Sequence, residues 1–424
     1  MAEKSKKIMF VAVFVPVLVL VCLLLGFVDA QKITDIKAIE AKEKAAVKEW
    51  LAYNNMIKQA DTLYQGYFYE EAEELLQNGK YKERDEVKQK IENCKLAQAN
   101  LVEYNGTVEH VFFHSLIFYP ELAFDGDHMA EGYDLWMTTA DEFKKMLPQL
   151  RDRGYVLYNI EDLIEQDPND PNKIVRKAIY LPEGKKPLIL SVDDVNYYDY
   201  MQKDGFAKRL VLDEDGEVAT LVKNPEGIEE INRNGDVVPI LDDFVKEYPD
   251  FSFRGAKGIL ALTGYAGALG YRITDVSGDD YKALRTKMDS VVAKLKQTGW
   301  IFACHSYTHN SYFKNYTITM QQMQDDATRW RDTIGAVVGQ TNIYISPFGV
   351  SYKNNDPLYR YLVKQKKFNI FCSVAAKASL IKNDDNIIMS RINLDGFSMK
   401  NHKEMLKQRF FNVDDVIDVR RPKT

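Results

Sequence analysis

The sequence predicts an α/β domain built on a parallel sheet, preceded by an apolar N-terminal segment and an α-helical region. Eight short apolar segments follow residue 103, and patterns typical of amphipathic helices separate most of them. Alternation of strands and helices is the signature of a parallel sheet, which is either open or closed into a barrel. A chain of 424 residues also exceeds the usual size of one domain.

Composition and charge restrict the class of function. The chain is 46% hydrophobic and 28% charged, as expected for a folded protein, and its formal net charge is -6. A net negative charge argues against nucleic-acid binding through bulk electrostatics. The glycine-rich phosphate loops of nucleotide-binding proteins do not occur in the sequence. We therefore expect no nucleic-acid partner.

Residues 1–30 predict a membrane anchor or a signal segment. Three lysines, Lys4, Lys6 and Lys7, precede an uncharged run from Ile8 to Val28. This run is long enough to cross a bilayer as a helix, and the lysines favour a cytoplasmic N-terminus. We expect a single-pass protein of the cell membrane whose remaining residues are extracytoplasmic. The alternative is a signal peptide cleaved near Ala30, followed by secretion.

Residues 31–102 predict a helical region. They are rich in Ala, Glu, Lys and Gln, contain no proline and place apolar residues at helical spacing. The sequence at Asn78–Lys80 predicts a helix end with glycine at the cap. The segment ADTLYQGYFYEEAEELL resembles one helical hairpin of the tetratricopeptide type. We expect a helical stalk, with binding of a protein partner as the alternative.

Residues 104–424 comprise the predicted α/β domain, and two insertions interrupt its alternating pattern. The segment EQDPNDPNKIVRKAIYLPEGKK predicts a polar loop, because it is rich in turn residues. The segment KRLVLDEDGEVATLVKNPEG predicts a β-hairpin that turns at DEDG.

Polar residues follow four of the predicted strands. In parallel α/β folds the loops after the strands lie on one side and carry the reactive groups. At these positions the sequence places an Asp pair, a His pair, a Pro-Phe-Gly turn and a single His, and three of the six histidines are among them. The residues are Asp193, Asp194, His305, His309, Pro347, Phe348, Gly349 and His114. We expect them to meet at one rim.

The His pair is the most informative part of this pattern. On a helical turn, side chains at i and i+4 share a face, so His305 and His309 can bind one ion. An adjacent Asp pair often serves only as a helix cap or turn, but this one ends a strand directed to the same rim. Cys304 directly precedes His305, and strand alternation directs the two side chains to opposite faces. The pattern predicts a metal site that does not include Cys304.

The segments SVDD, HSYTH and SPFG, in this order, resemble the motifs of the NodB-homology polysaccharide deacetylases, which read T-F-D-D, H-[ST]-x-x-H and R-x-P-Y-G. The segment TTADEFKKMLPQLRDRGY also resembles one that follows the first strand in many bacterial members. The resemblance covers most of residues 104–400 and none of the helical region. It implies an irregular (β/α)7-type barrel and a metal-dependent hydrolase that removes acetyl groups from a polysaccharide.

The resemblance also implies roles for individual residues. Asp194, His305 and His309 would bind a divalent metal ion, usually zinc, and this donor set also suits cobalt or nickel. Asp193 would be the general base that accepts a proton from the attacking water. The turn Pro347–Gly349 would line the substrate groove, with the backbone N–H of its aromatic residue stabilising the oxyanion.

Two departures from the family pattern leave alternatives open. The family's motif arginine falls at Ile345, and Arg391 could orient the base from another strand instead. The C-terminal Leu-x-His motif is also missing. Deacetylases of biofilm poly-N-acetylglucosamine have a permuted motif order with this histidine on the first strand, so we expect His114 to be the general acid. The alternative is His402.

The resulting functional expectation is hydrolysis of N-acetyl groups from an extracytoplasmic polysaccharide that contains N-acetylglucosamine, either bacterial cell-wall peptidoglycan or an exopolysaccharide. One alternative is an esterase that removes O-acetyl groups from a glycan. Another is a catalytically impaired domain that binds a glycan or a protein partner. Five aromatic residues near the rim could stack on sugar rings: Tyr197, Tyr198, Tyr265, Tyr307 and Phe348.

Overall fold

The computed structural model of the protein describes residues 30–422, with side-chain environments from residue 34 onward. The chain divides into two compact units, Met1–Ala99 and Asn100–Thr424. In the described part of the chain, Cys94, Cys304 and Cys372 are buried free thiols.

The described part of the first unit consists of three helices: α1 Ala30–Gln65, α2 Tyr69–Asn78 and α3 Asp85–Ala99. Their shared core includes Ala72, Leu76, Val87 and Cys94. The predicted helix end at Asn78 is confirmed, but Gly79 has an extended conformation and not a left-handed one. A Cβ at Gly79 would lie 2.8 Å from the sulfur of Met56, so a larger residue here would require the Met56 side chain to shift.

The expected location in a membrane needs correction. No helix within residues 30–422 is both long and apolar enough to cross a membrane. The apolar run Ile8–Val28, on which the single-pass prediction was based, lies outside the described residues. For the described residues, the prediction of a single-pass membrane protein is wrong.

The second unit contains a closed barrel of seven parallel strands. Around the ring, the third to seventh strands lie side by side in chain order, and the first and then the second strand follow the seventh. The second strand pairs with the third and closes the ring. The strands are β1 Glu109–Phe113, β2 Lys186–Val192, β3 Ile259–Leu262, β4 Ile301–Cys304, β5 Ile343–Ile345, β6 Ile370–Val374 and β7 Ile387–Asn393. They are apolar and largely buried, as expected for strands of a parallel sheet covered by helices.

The barrel is irregular beside β2. The first half of β2 pairs with the short strand Tyr155–Leu157, and only its last two residues pair with β3. The predicted strand at Tyr155 therefore exists, but it lies outside the ring. The structure accordingly has seven barrel strands although the sequence shows eight apolar segments.

Helices occupy the connections between the strands. They are α4 Pro120–Ala123, α5 Ala130–Trp136, α6 Ala140–Asp152, α7 Val237–Glu247, α8 Gly278–Gln297, α9 Ser311–Lys314, α10 Met320–Thr333, α11 Gly335–Val338, α12 Pro357–Lys364, α13 Gly396–Asn401, α14 Lys403–Arg409 and α15 Val413–Val416. The start of α6 shows how the sequence determines these boundaries. Thr139 and Glu142 form a capping box, in which each side chain accepts a hydrogen bond from the other residue's backbone N–H.

The two insertions form small antiparallel sheets. The hairpin predicted around DEDG is confirmed by the strands Arg209–Leu212 and Val218–Lys223, to which Glu229–Asn232 adds a third strand. The insertion predicted as a polar loop contains a short antiparallel pair, Ile164–Gln166 with Ile174–Arg176. Each of these strands has three residues, and an alternating pattern of this length does not distinguish a strand from a loop in the sequence. Further short strands are Val102–Glu103, Tyr180–Leu181 and Leu380–Lys382.

Candidate metal centre

The ends of the barrel strands meet at a cleft of about 1180 Å³. Of the predicted metal-binding, base, acid and turn residues and the predicted base-orienting arginine, all but Pro347 and Arg391 line this cleft. The lining residues among them are His114, Asp193, Asp194, His305, His309, Phe348 and Gly349. Pro347 is buried in its turn, and Arg391 is fully buried on β7.

Asp194, His305 and His309 form the candidate metal centre. One ligand atom from each residue lies within 4.8 Å of the others. His305 is held in one orientation because its Nδ1–H donates a hydrogen bond to the backbone oxygen of Ile345 at 2.8 Å. Its Nε2 is therefore left to face the cluster, as in most metal-binding histidines. Burial lowers the pKa of His305, although the Asp193 carboxylate opposes this effect, so the ring favours its neutral, ligating form.

The carboxylate of Asp194 is oriented by a tyrosine. The hydroxyl of Tyr198 donates a hydrogen bond to Asp194 Oδ1 at 2.9 Å and lies 3.2 Å from Thr263 Oγ1. Burial raises the pKa of Asp194, but the rings of His309 and His305 outweigh it, and the pKa is lower than usual. The carboxylate is thus ionised and fixed beside the two rings.

The conformation of the His-x-x-x-His segment differs from the predicted helical turn. Ser306 and His309 have left-handed backbone conformations with φ of 59° and 43°, so the segment is a loop. The carboxylate of Asp326 on α10 stabilises this loop by accepting hydrogen bonds from the backbone N–H groups of Tyr307 and Thr308, at 2.8 and 2.9 Å. The two His rings still meet, with centroids 4.9 Å apart. The predicted helical turn is therefore wrong, although the two rings lie close together as expected.

Asp193 has a different set of partners from its neighbour Asp194. Arg391 donates two hydrogen bonds to it, from Nη1 to Oδ1 at 2.6 Å and from Nη2 to Oδ2 at 2.9 Å. Burial opposes ionisation of Asp193, but Arg391 and the nearby His305 hold the pKa of the carboxyl well below its usual range. Asp193 Oδ2 lies 4.0 Å from His305 Nε2. The carboxylate is therefore ionised and directed at the metal centre without belonging to it.

Two residues that support Arg391 were not identified from the sequence. Ser191 Oγ accepts a hydrogen bond from Arg391 Nη1 at 3.1 Å and lies 3.0 Å from His110 Nε2. The guanidinium also lies over the ring of Phe112, 4.2 Å from its centroid. Ser191 and His110 point into the barrel from adjacent strands, and their only signal in the sequence is a polar residue within an apolar strand.

His114 follows β1 and lies at the metal end of the cleft. Its Nδ1 is buried and has no hydrogen-bond partner among residues 30–422. The buried carboxylate of Asp395 interacts electrostatically with it and caps α13 by accepting a hydrogen bond from Ser398 N at 2.8 Å. Asp395 was not identified either, although it follows a strand and the rule used for Asp193 applies to it. The alternative acid, His402, also lines the cleft but is exposed.

The Pro347–Gly349 turn places an aromatic ring over one metal ligand. Phe348 has a left-handed conformation, with φ of 56°, and its ring centroid lies 4.3 Å from that of His309. Gly349 also has a positive φ of 68°, and a Cβ there would lie 2.5 Å from Val374 Cγ2. Only glycine therefore allows this turn to pack against β6. The oxyanion role of the turn stays a prediction.

The expected sugar-stacking aromatics are largely not available to a ligand. Tyr197, Tyr198 and Tyr307 are buried, and Tyr265 is exposed outside the cleft. Of the five, Phe348 lines the cleft. The other exposed aromatic residues of the cleft are Trp136 and Phe397, which belong to helices and follow no motif.

Comparisons with known proteins give little further information. No family model and no curated protein matches the sequence. Among solved structures, that of IcaB from Ammonifex degensii is similar at a TM-score of 0.36 and 10% sequence identity, covering 69% of this chain and 93% of that chain. Likeness at this level does not assign a function, so the chemistry of the cleft must be derived from its own residues: three clustered donors, an ionised aspartate held by an arginine, and a nearby histidine.

Proposed function

We propose that the protein is a metal-dependent hydrolase that removes N-acetyl groups from a glycan containing N-acetylglucosamine. The proposal rests on the different surroundings of two adjacent aspartates. Asp194 lies with His305 and His309 in a three-donor cluster, while Asp193 is paired with Arg391 and faces the same space. A metal centre beside a separate carboxylate base is an arrangement suited to hydrolysis of an acyl group.

The donor set fits a divalent transition metal. Two imidazole nitrogens and one carboxylate oxygen suit zinc, and also cobalt or nickel, and leave positions for water and substrate. The orientation of the donors by Ile345 and Tyr198 provides the outer support that such sites need. When bound, an ion of this kind polarises the acetyl carbonyl and lowers the pKa of its water ligand.

Asp193 is the proposed general base. Arg391 occupies one lone pair on each carboxylate oxygen, and each oxygen has a second lone pair with which to accept the proton of the attacking water. Because the carboxylate is held in a bidentate pair, its orientation toward the metal centre is fixed before substrate binds. Arg391 is therefore a positioning residue. It would take the role of the family's motif arginine, whose position is occupied here by Ile345.

His114 is the proposed general acid. It lines the cleft at the end of β1, on the strand adjacent to the one that leads to Asp193. A protonated imidazole there can deliver a proton to the departing amine nitrogen, which would otherwise leave as an unstable anion. The buried carboxylate of Asp395 interacts electrostatically with His114.

The test is acetate release from N-acetylglucosamine oligomers, with peptidoglycan fragments and acetylxylan as parallel substrates. We expect release from one of the N-acetylated substrates, loss of release after chelation, and recovery on addition of zinc or cobalt. The Asp193→Asn variant serves as a matched control that retains the metal ligands. Release only from acetylxylan would assign an O-acetyl esterase, and release unaffected by chelation would overturn the proposal.

A further inference from the structure

Two aromatic side chains form an exposed pair in the lining of the cleft. The rings of Trp136 and Phe397 are stacked, with centroids 5.6 Å apart and planes 20° apart. Trp136 is 49% exposed and Phe397 is 38% exposed, although both are large apolar side chains. Both line the cleft that contains the metal centre. We call them the aromatic pair.

We propose that the aromatic pair is a binding subsite for a second sugar ring of the substrate, so that the protein acts on glycan chains in preference to monosaccharides. This inference rests on the proposed function. Exposed aromatic rings keep apolar area in contact with water, and the C–H face of a pyranose ring can cover that area. A few polar groups beside such a surface then select hydroxyl positions, and His402, which is in edge contact with Phe397, is one candidate.

The aromatic pair is built into the fold. Trp136 ends α5, and Phe397 belongs to α13, which follows β7. Gly396 allows the two helices to touch, because a Cβ there would lie 1.9 Å from the backbone oxygen of Asp134. No other residue type would let Phe397 come so close to Trp136.

Arg421 fixes the end of α5 that carries Trp136. Its buried guanidinium donates hydrogen bonds to the backbone oxygens of Asp134 and Met137, at 2.7 and 2.8 Å. These are carbonyl groups that the end of a helix leaves without intrahelical partners. Lys400 of α13 adds an ion pair to the Asp134 carboxylate. The ring of Trp136 is therefore presented from a rigid support, which reduces the entropy lost on binding.

The size of the cleft is consistent with more than one sugar ring. Sites for single small molecules usually measure about 300–1000 Å³, and this cleft measures about 1180 Å³. The acetyl group would lie at the candidate metal centre, which leaves the rest of the cleft for other parts of the substrate. The aromatic pair is then placed to bind a neighbouring unit of the same chain.

Tryptophan fluorescence provides a direct test. Of the four tryptophans, Trp300 and Trp330 are buried, so Trp50 and Trp136 are the exposed ones. In a Trp50→Phe variant that also carries Asp193→Asn to prevent turnover, Trp136 is the remaining exposed reporter. We expect the tetramer of N-acetylglucosamine to change its emission, and the monomer to have little effect at the same concentration. A Trp50→Phe/Trp136→Phe variant should show no change with either ligand.

Kinetics give the second readout. A tenfold loss corresponds to about 1.4 kcal/mol, which lies within the range for removing an aromatic anchor from a binding site. We therefore expect Trp136→Ala to lower kcat/KM for the tetramer about tenfold, mainly through KM, and to change the value for the monomer less than twofold. Trp50→Ala, which removes an equally exposed tryptophan from the helical unit, should leave both unchanged.

The outcomes separate this inference from the proposed function. Acetate release without chain-length preference and without an emission change would overturn the subsite while the proposed function stands. An emission change without acetate release from any substrate would support the subsite and overturn the function. Equal losses for tetramer and monomer in Trp136→Ala would also contradict the subsite. The emission test leaves the aromatic pair intact, so it remains decisive if Trp136→Ala does not fold.

Discussion

Two parts of the cleft, the metal end and the aromatic end, are built in opposite ways. At the metal end, Asp193, Arg391 and His305 are buried, Arg391 is paired with Asp193, and His305 donates a hydrogen bond to a backbone oxygen. At the other end, Trp136 and Phe397 are exposed. A buried charged network has a fixed geometry, because any displacement leaves an unpaired charge, whereas an exposed apolar pair has area to gain from a ligand. Under the two proposals above, the first end performs the chemistry and the second contributes substrate affinity.

This contrast predicts different kinetic signatures for substitutions at each end. Changes at the metal end should lower kcat, metal affinity or stability for every substrate. Changes at the aromatic end should affect KM, and only for chains. The following predictions test the contrast, beginning with the largest expected effect.

Asp193→Asn should lower turnover by roughly 10²–10⁴-fold, because it removes the proposed general base. It should leave metal affinity almost unchanged, since Asp193 lies outside the three-donor cluster. Acetate release and calorimetric zinc titration measure the two effects separately. If zinc affinity fell as much as turnover, the assignment of roles to the two aspartates would be wrong.

Arg391→Met should destabilise the fold by about 3–5 kcal/mol at neutral pH, because it leaves the Asp193 charge buried without a partner. The double variant with Asp193→Asn should recover most of this loss. Denaturant unfolding of the two single variants and the double variant provides the measurement. A double variant as unstable as Arg391→Met would show that the pairing is not the cause.

The effect of Arg391→Met should also depend on pH. Burial disfavours the Asp193 charge, but Arg391 holds the folded-state pKa below the unfolded value, so the pair stabilises the fold above about pH 4 and loses this contribution at lower pH. Without Arg391, only the nearby histidines oppose the effect of burial, so the pKa of Asp193 should rise. The stability difference between wild type and variant should therefore shrink as the pH falls below about 4. A constant difference from pH 7 to pH 3 would contradict this mechanism.

The two candidate general acids, His114 and His402, belong to different parts of the cleft. His114→Ala should lower kcat by about 10²-fold or more, because one acid–base group contributes at least this much. His402 contacts Phe397 in the exposed half of the cleft, so His402→Ala should change kcat little. The pair of variants, assayed on the same oligomer, distinguishes the acids. A larger loss of kcat in His402→Ala than in His114→Ala would assign the role of general acid to His402.

Tyr198→Phe should weaken zinc binding by roughly 10–100-fold, because it removes the hydrogen bond that orients Asp194. Tyr198→Phe keeps the ring and its stacking on Tyr265, so the melting temperature of the metal-free protein should change little. Competition with a chromogenic chelator measures the affinity. Unchanged affinity would mean that Asp194 is held by its backbone alone.

The metal end could be predicted from the sequence because strand ends fix its residues. Asp193, Asp194, His305 and His309 each follow a recognisable apolar strand, and parallel strands deliver such residues to one rim. The loop conformation of the His pair was not accessible, because it depends on Asp326, which lies on a helix further along the chain. The spacing of residues within the His-x-x-x-His segment gives no information about the contact with Asp326.

The aromatic end could not be predicted, for a similar physical reason. Trp136 and Phe397 lie far apart in the chain, and each occupies an ordinary position at a helix. They meet because Gly396 permits close approach of two helices, and nothing in the local sequence specifies that contact. The same holds for Ser191 and His110, whose significance depends on Arg391 reaching them from another strand.

The most direct test of the account is calorimetric zinc titration of the chelator-treated protein and of two variants, Asp193→Asn and Asp194→Asn. We predict one equivalent of zinc for the wild type and for Asp193→Asn, and strongly weakened binding for Asp194→Asn, because only Asp194 belongs to the cluster with His305 and His309. Wild-type binding by Asp194→Asn, or no zinc binding by the wild type, would contradict the central claim that these three residues hold a catalytic metal.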